Sequence, residues 1–336
     1  MNIKNSKMQV LSLRGIGQLE IEERDIPVPR DDDVLVKVKN CGLCGSDIGR
    51  VTKNGTYHFP TVIGHEFSGE VVLDPEGELD GMRVSVFPLI PCFECGACKS
   101  GNYNCCKDYD YYGSRRDGGF SEYIAVKRFN LVFLPDNVTY EEGAMFEPSA
   151  VALHAVRKAE IEKGDRVLIT GAGPIGLIAG RLALAFGAAD VSFIEADEKK
   201  AEFLLEKGFR LFKEGEKANR AIEDTGASAV ISKIPDYVVR GGTVVLMGNP
   251  QSEIKHSADE YQAFLRSELT LKGTWNSSYS EAENDWINIA EMLSDGRLVL
   301  RDIVTHRVSL ASIPSVINDI ASKKIFSVKV LWENDK

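Results

Sequence analysis

The sequence has no apolar run long enough to cross a membrane, no surplus of basic residues, and no internal repeat or low-complexity tract. Its 40 lysines and arginines are outnumbered by 50 aspartates and glutamates. The resulting formal charge of -10 argues against a nucleic-acid surface and requires local basic groups wherever an anion is to bind. The polar start Met1–Lys7 leads only into the short run Met8–Leu13, so neither a secretory signal nor a membrane span is expected, and the cytoplasm is the expected compartment. Histidine is scarce: of five in 336 residues, His58, His154, His256 and His306 lie outside any metal-ligand pattern. What is left is a globular composition in a chain long enough for two domains.

Against that background the cysteines stand out. Cys92, Cys95, Cys98 and Cys106 are spaced C-x2-C-x2-C-x7-C in a lobe at about 91–107 bounded by proline and rich in glycine. Tetrahedral Zn²⁺ takes four thiolates, and a loop that folds back brings the short spacings together while the longer arm closes the sphere. Core cysteines or disulfides are the alternative, and disulfides are rare in a reducing compartment. Cys105 beside Cys106 leaves two candidates for the fourth ligand, and the seven-residue gap selects Cys106.

The first 150 residues have a β grammar, with apolar and polar residues alternating over Asp33–Lys39 and similar runs at Val84–Phe87 and Tyr123–Val126. From about Ser149 the grammar changes. A helical stretch through Val156 and Lys158 precedes the strand Arg166–Thr170, the turn Gly171-Ala172-Gly173-Pro174-Ile175-Gly176 and a helix rich in Leu and Ala reaching Phe186. The strand Asp190–Ile194 then ends at Glu195. Strand, glycine turn, helix and terminal acid fall where a dinucleotide needs them. Gly171 makes the turn, Gly173 admits the diphosphate and Gly176 lets helix and strand approach, with Pro174 and Ile175 opening the helix whose N-terminus receives the anion. The Glu195 carboxylate accepts from ribose hydroxyls and repels a 2′-phosphate, which favours NAD over NADP. Lys200 offers either a second ribose contact or a solvated lysine.

A second set of metal-ligand types lies upstream in Cys41-Gly-Leu-Cys44-Gly-Ser46-Asp47 and Gly64-His65-Glu66. Cys44 and His65 suit Zn²⁺, and one carboxylate would complete three protein ligands and leave a position open for water or substrate. Two carboxylates compete for that place, Glu66 and Glu147.

With Gly118–Tyr123 and Glu147-Pro148, these motifs resemble the zinc-dependent medium-chain dehydrogenases over nearly the whole chain. Gly42–Asp47, Lys53-Asn54-Gly55, Pro91-Cys92-Phe93 and Gly113–Phe120 are similar to their polyol, sorbitol-like branch. The resemblance implies an α/β protein: a GroES-like β domain of residues 1–150 and 293–336, interrupted by a Rossmann doubly wound parallel sheet domain of residues 151–292. It also implies two zinc ions per chain, one catalytic and one structural, NAD as hydride acceptor, and a homodimer or homotetramer formed through Rossmann sheet edges.

The implied chemistry is oxidation of a secondary alcohol on zinc held by Cys44, His65 and Glu66 or Glu147, the two acids exchanging as water or substrate arrives. Ser46 matches the family's proton-relay hydroxyl, and Asp47 orients His65. The expected substrate is a polyol or polyol phosphate, with sorbitol, threonine or butanediol as alternatives and a zinc-ribbon binding module as a reading of another class. Arg115 and Arg116 could grip a phosphate. Lys53 and Tyr57 are further substrate candidates, and Trp275 could wall the cleft.

One departure from the family pattern concerns Lys213–Asn219, which is too short for the helix that usually links a strand near Arg210–Phe212 to a strand expected near Ala229–Ile231. A shortened or missing helix is therefore expected there. Trp286, spaced with Ile287, Ile289, Met292 and Leu293, predicts an amphipathic helix with Trp286 in the core.

Overall fold

The computed structural model describes residues 6–30, 32–250 and 252–334, so Met1–Asn5 of the polar start lie outside the described residues. The chain divides into two compact units, Met1–Glu147 with Ser278–Lys336, and Pro148–Ser277. The alternating segment at Asp33 runs on to Leu43 and forms the centre of a seven-stranded sheet. The sheet order is Leu131–Phe133, Arg83–Val86, Glu66–Leu73, Asp33–Leu43, Lys329–Glu333, Val304–Val308, with Tyr123–Lys127 paired to Asp33–Leu43 off that path. Leu35 and Val36 point to opposite faces and both are fully buried, so this strand is covered on both sides. Full burial of each such side chain is worth about 1.5–3 kcal/mol.

The last strand, Lys329–Glu333, returns antiparallel to Asp33–Leu43 with Val330 opposite Leu43. That pairing brings the end of the chain beside the Cys44 segment. The return to the first unit comes at Ser278 rather than 293, a correction of about fifteen residues. Its cause is aromatic packing: Tyr279 stacks on Phe87 at 4.2 Å and Trp286 meets Phe87 edge-on at 5.5 Å, which ties the helix Asp285–Ser294 to the first unit. Trp286 is fully buried.

The second unit is a six-stranded, all-parallel sheet in the order Arg210–Leu211, Asp190–Ile194, Arg166–Thr170, Ala218–Glu223, Val238–Leu246, Thr270–Gly273. Strand order reverses between the parallel strands ending at Thr170 and Glu223. In such sheets that switch point is the ligand crevice.

Between Arg210–Leu211 and Ala218–Glu223 there is no helix among the described residues; residues 212–217 make the connection alone. The strand expected near Ala229–Ile231 is instead the short helix Ser228–Ile231, and the strand lies earlier, at Ala218–Glu223. Ala221 and Ile222 of that segment pair with Leu168 and Ile169, and apolar content alone does not separate the two runs. Phe212 stands in for the missing helix. It packs against a cluster of Leu168, Ala221, Ile234 and Val244, and meets Tyr237 edge-on at 5.6 Å. Arg210 anchors the connection through Asp190 (2.9 Å) and Glu216 (2.8 Å), and Lys217 donates to the Asp236 carbonyl at 2.6 Å.

Candidate active site

Cys44 caps the short helix Gly45–Gly49, whose third residue, Asp47, folds its carboxylate back to accept from the Cys44 N–H at 3.2 Å. The fully buried Asp47 faces His65 Nδ1 at 3.5 Å and accepts from Arg50 at 3.2 Å, so it holds the imidazole while Arg50 balances its charge. Burial alone would lower the His65 pKa, but the negative charges of Asp47 and Cys44 outweigh it and raise it well above the ordinary value. The site thus favours a positive charge between its donors. Ser46 is exposed and accepts from Arg50 at 2.8 Å.

Cys44, His65 and Glu66 place one donor atom each within 4.8 Å of one another. A thiolate, an imidazole and a carboxylate at that spacing fit Zn²⁺ with a position to spare. Glu66 opens the strand Glu66–Leu73 opposite Gly42, where a Cβ would come within 2.0 Å of its Oε2. Only glycine leaves that carboxylate room. The buried Lys329 forms an ion pair with Glu66.

Glu147, at the start of the helix Phe146–Ala159, stands outside the group of three. Its carboxyl accepts from the Tyr111 hydroxyl at 3.3 Å. Burial, reinforced by Glu66, pushes its pKa up to about 7 against the opposing pull of His65 and Lys329. Tyr111 is buried, with its ring 5.8 Å from that of His65. Sequence reasoning missed both Tyr111 and Lys329. The one available signal for Lys329 was a lone lysine at the head of the apolar run Val330-Leu331-Trp332.

The four cysteines of the lobe converge. The sulfurs of Cys92, Cys95, Cys98 and Cys106 all lie within 4.8 Å of one another, whereas Cys105 is exposed and outside the group. Cys95 and Cys98 are 3.5 Å apart, Cys92 and Cys98 3.9 Å, and all seven cysteines are free. A disulfide needs about 2.05 Å. The edge of a tetrahedron with Zn–S near 2.3 Å is about 3.8 Å, so the spacing fits a four-thiolate metal site. The Cys98 N–H helps pull the Cys95 thiol down to about 6, while burial pushes Cys98 up to about 12.

In the second unit, Gly171 has φ +94°, and a Cβ on Gly176 would sit 2.1 Å from the Gly171 carbonyl oxygen. Over Gly173 a Cβ would meet nothing within 4 Å, so the mouth of the turn is open. Pro174 and Ile175 begin the helix Pro174–Ala185, which has no side-chain cap on Gly173. The Glu195 carboxylate lies against this turn, accepting from the N–H groups of Ala172 (2.7 Å), Ala196 and Asp197 (2.8 Å each). Lys200 lies in the first turn of the helix Glu198–Glu206. Burial, then Glu223, pushes up the pKa of Asp224, an acid at the switch point that sequence reasoning did not single out, and the Lys200 charge opposes that rise only in part.

Of the substrate candidates, Arg115 is held most firmly. Its guanidinium lies between the rings of Tyr57 and Tyr109, 4.3 Å from each centroid, and donates to the Tyr109 carbonyl at 3.0 Å. Arg116 pairs with Asp110 at 3.0 Å and lies over Tyr112. Lys53 is exposed, and Trp275, in the second unit, is half exposed.

Residues 30–136 match the model of the alcohol dehydrogenase GroES-like domain. The galactitol 1-phosphate 5-dehydrogenase of Escherichia coli K12 is 35% identical over 327 residues, covering 91% of this chain and 94% of that protein. The chain belongs to the zinc-dependent medium-chain dehydrogenases. The L-galactonate-5-dehydrogenase of the same organism is 34% identical over 92% of this chain and 94% of its own length. The crystal structure of the Escherichia coli galactitol-1-phosphate dehydrogenase superposes with a TM-score of 0.90 at 32% identity, covering 97% of this chain and all of that one. The protein is accordingly an oxidoreductase of the polyol dehydrogenase branch, and no helix among its described residues is long and apolar enough to cross a membrane.

Proposed function

We propose that this dehydrogenase oxidises a secondary alcohol of a polyol phosphate, of the galactitol 1-phosphate to tagatose 6-phosphate type, using NAD. The observation that carries the reading is the grouping of Cys44, His65 and Glu66 in a member of this family. Zinc held by Cys44, His65 and either Glu66 or Glu147 would supply Lewis acidity toward the alcohol oxygen, and NAD on the glycine turn would supply the hydride acceptor. The chain's own groups do the rest. Asp47 fixes the His65 ring, Lys329 holds Glu66, and Tyr111 holds Glu147, so the two candidate carboxylates are each tethered by a donor. The Ser46 hydroxyl accepts from Arg50 and keeps its own proton free to donate, which suits a relay of the alcohol proton to solvent. Cys92, Cys95, Cys98 and Cys106 would hold a second zinc with no open position, a structural role.

Glu195 supports NAD over NADP because its carboxylate lies at the end of the strand where the adenosine ribose binds in this fold. Arg115 supports a phosphorylated substrate: a guanidinium clamped between two rings loses little freedom on gripping an anion. Arg116, balanced by Asp110, is the weaker candidate. The reading extends to a homodimer or homotetramer, and to the cytoplasm, where seven free cysteines are at home. Replacing Arg115 with Ala should raise KM for galactitol 1-phosphate about 30-fold or more, with a much smaller effect on an unphosphorylated alcohol. An unchanged KM would remove the phosphate from the proposal and favour a free polyol or sugar acid.

A further inference from the structure

Asp224 follows the strand Ala218–Glu223 directly, at the switch point, and its N–H donates to the Thr170 carbonyl at 3.2 Å. The side chain reaches across to the glycine turn. Its Oδ2 lies 3.5 Å from where a Cβ of Gly176 would be, and the Gly176 N–H donates to its carboxyl. Gly176 is in the first turn of the helix Pro174–Ala185, whose N-terminal N–H groups carry the partial positive charge that attracts anions. An acid of this chain therefore occupies part of the cradle that a diphosphate uses.

We propose that Asp224 is a competing anion at the dinucleotide cradle, so that affinity for NAD is high when its carboxyl is neutral and falls when it ionises. The inference rests on the reading that the glycine turn binds NAD. Every charged neighbour bears on it. Glu223, the preceding residue, is buried and accepts from the Thr225 and Gly226 N–H groups, and its charge acts to raise the Asp224 pKa. Lys200, on the helix Glu198–Glu206, is the opposing positive charge. Glu195, at the end of the neighbouring strand, is engaged by three backbone N–H groups. Burial, then Glu223, pushes the Asp224 carboxyl up to about 8, against the weaker pulls of the Gly176 N–H and Lys200. Near neutral pH the group is thus a hydrogen-bond donor compatible with a phosphate oxygen, and in mild alkali it becomes a repelling charge.

Binding of the doubly charged diphosphate must in turn favour the protonated form, so NADH binding near pH 8.5 should draw a proton from solution. The test is isothermal titration of NADH into zinc-loaded protein at pH 6.5, 7.5, 8.5 and 9.0, in buffers of different ionisation enthalpy. The natural chain should take up about half a proton or more at pH 8.5 and lose about tenfold in affinity between pH 7.5 and 9.0. Asp224→Asn, matched in shape, should show neither effect, and Asp224→Ala should behave likewise if its thermal unfolding matches that of the natural chain. Tight NADH binding with no proton uptake and identical pH profiles in all three proteins would overturn the role of Asp224 while leaving NAD binding intact. Absence of NADH binding to any of the proteins at any pH would overturn the NAD reading and this inference with it.

Discussion

Replacing Lys329 with Met probes the pair that holds one of the two candidate carboxylates. Lys329 and Glu66 have 1% and 2% of their side chains exposed, so no solvent screens the contact. Met keeps most of the lysine stem but removes its charge, leaving the Glu66 carboxylate buried without its cation. Breaking such a pair from one side costs about 3–5 kcal/mol, whereas removing both charges is often close to neutral. Lys329→Met should therefore lose about 3 kcal/mol, and Lys329→Met/Glu66→Gln only about 1 kcal/mol, the residue of a poorly satisfied amide. The assay is urea unfolding of chelator-treated protein in a Trp275→Phe background, where the remaining tryptophans, Trp286 and Trp332, both report on the first unit. A Lys329→Met protein within about 0.5 kcal/mol of its parent, or a double variant equal to the sum of the single ones, would refute the buried-pair reasoning.

Gly42→Ala should disturb the same carboxylate by contact, because the new Cβ would meet Glu66 Oε2 at 2.0 Å and Lys329 Cε at 3.0 Å. A loss of about 2–3 kcal/mol is expected in the same unfolding assay, against less than about 1 kcal/mol for Gly45→Ala, whose Cβ meets nothing within 4 Å. Cys106→Ser should reduce bound zinc from two ions per chain to one, as read by elemental analysis, while Cys105→Ser should keep both. The native Asp224 carboxyl titrates at about 8 against 3.8 in the unfolded chain, so the folded state holds the extra proton. The stability this contributes is present below pH 4 and is lost as pH rises through 8. Asp224→Asn should accordingly flatten the fall in denaturation midpoint of the second unit between about pH 4 and 8.

The parts of the molecule legible in the sequence are those fixed by local spacing. The Arg166–Thr170 strand, the glycine turn and the Asp190–Ile194 strand are continuous in sequence and in space, and the structure forms both strands with the expected ends. The Cys92–Cys106 lobe is likewise one loop, and its sulfurs converge. Contacts between distant segments were harder to read. Lys329 reaches Glu66 across 263 residues only because the final strand pairs with Asp33–Leu43, and a lone lysine at the head of the run Val330–Trp332 does not name its distant partner. The 3.6-residue period of Trp286 and its neighbours predicts a buried face without saying which core receives it, and Phe87 of the first unit supplies that core, so the boundary lies at 278 rather than 293. Ala229–Ile231 has strand composition but forms a helix, since the sheet position it would take is already filled by Ala218–Glu223. Asp224 was passed over because a single acid after a strand has no spacing signature.

Oxidation of a polyol phosphate with zinc and NAD is read most simply from the formation of NADH. Zinc-loaded protein, NAD and a panel of galactitol 1-phosphate, galactitol, sorbitol, threonine and butanediol, followed by absorbance of the reduced nicotinamide, should give the highest kcat/KM with galactitol 1-phosphate. The rate should vanish in Cys44→Ser while NADH binding persists. Turnover that survives in Cys44→Ser, or a panel in which no alcohol is oxidised by zinc-loaded protein that binds NADH, would contradict the account.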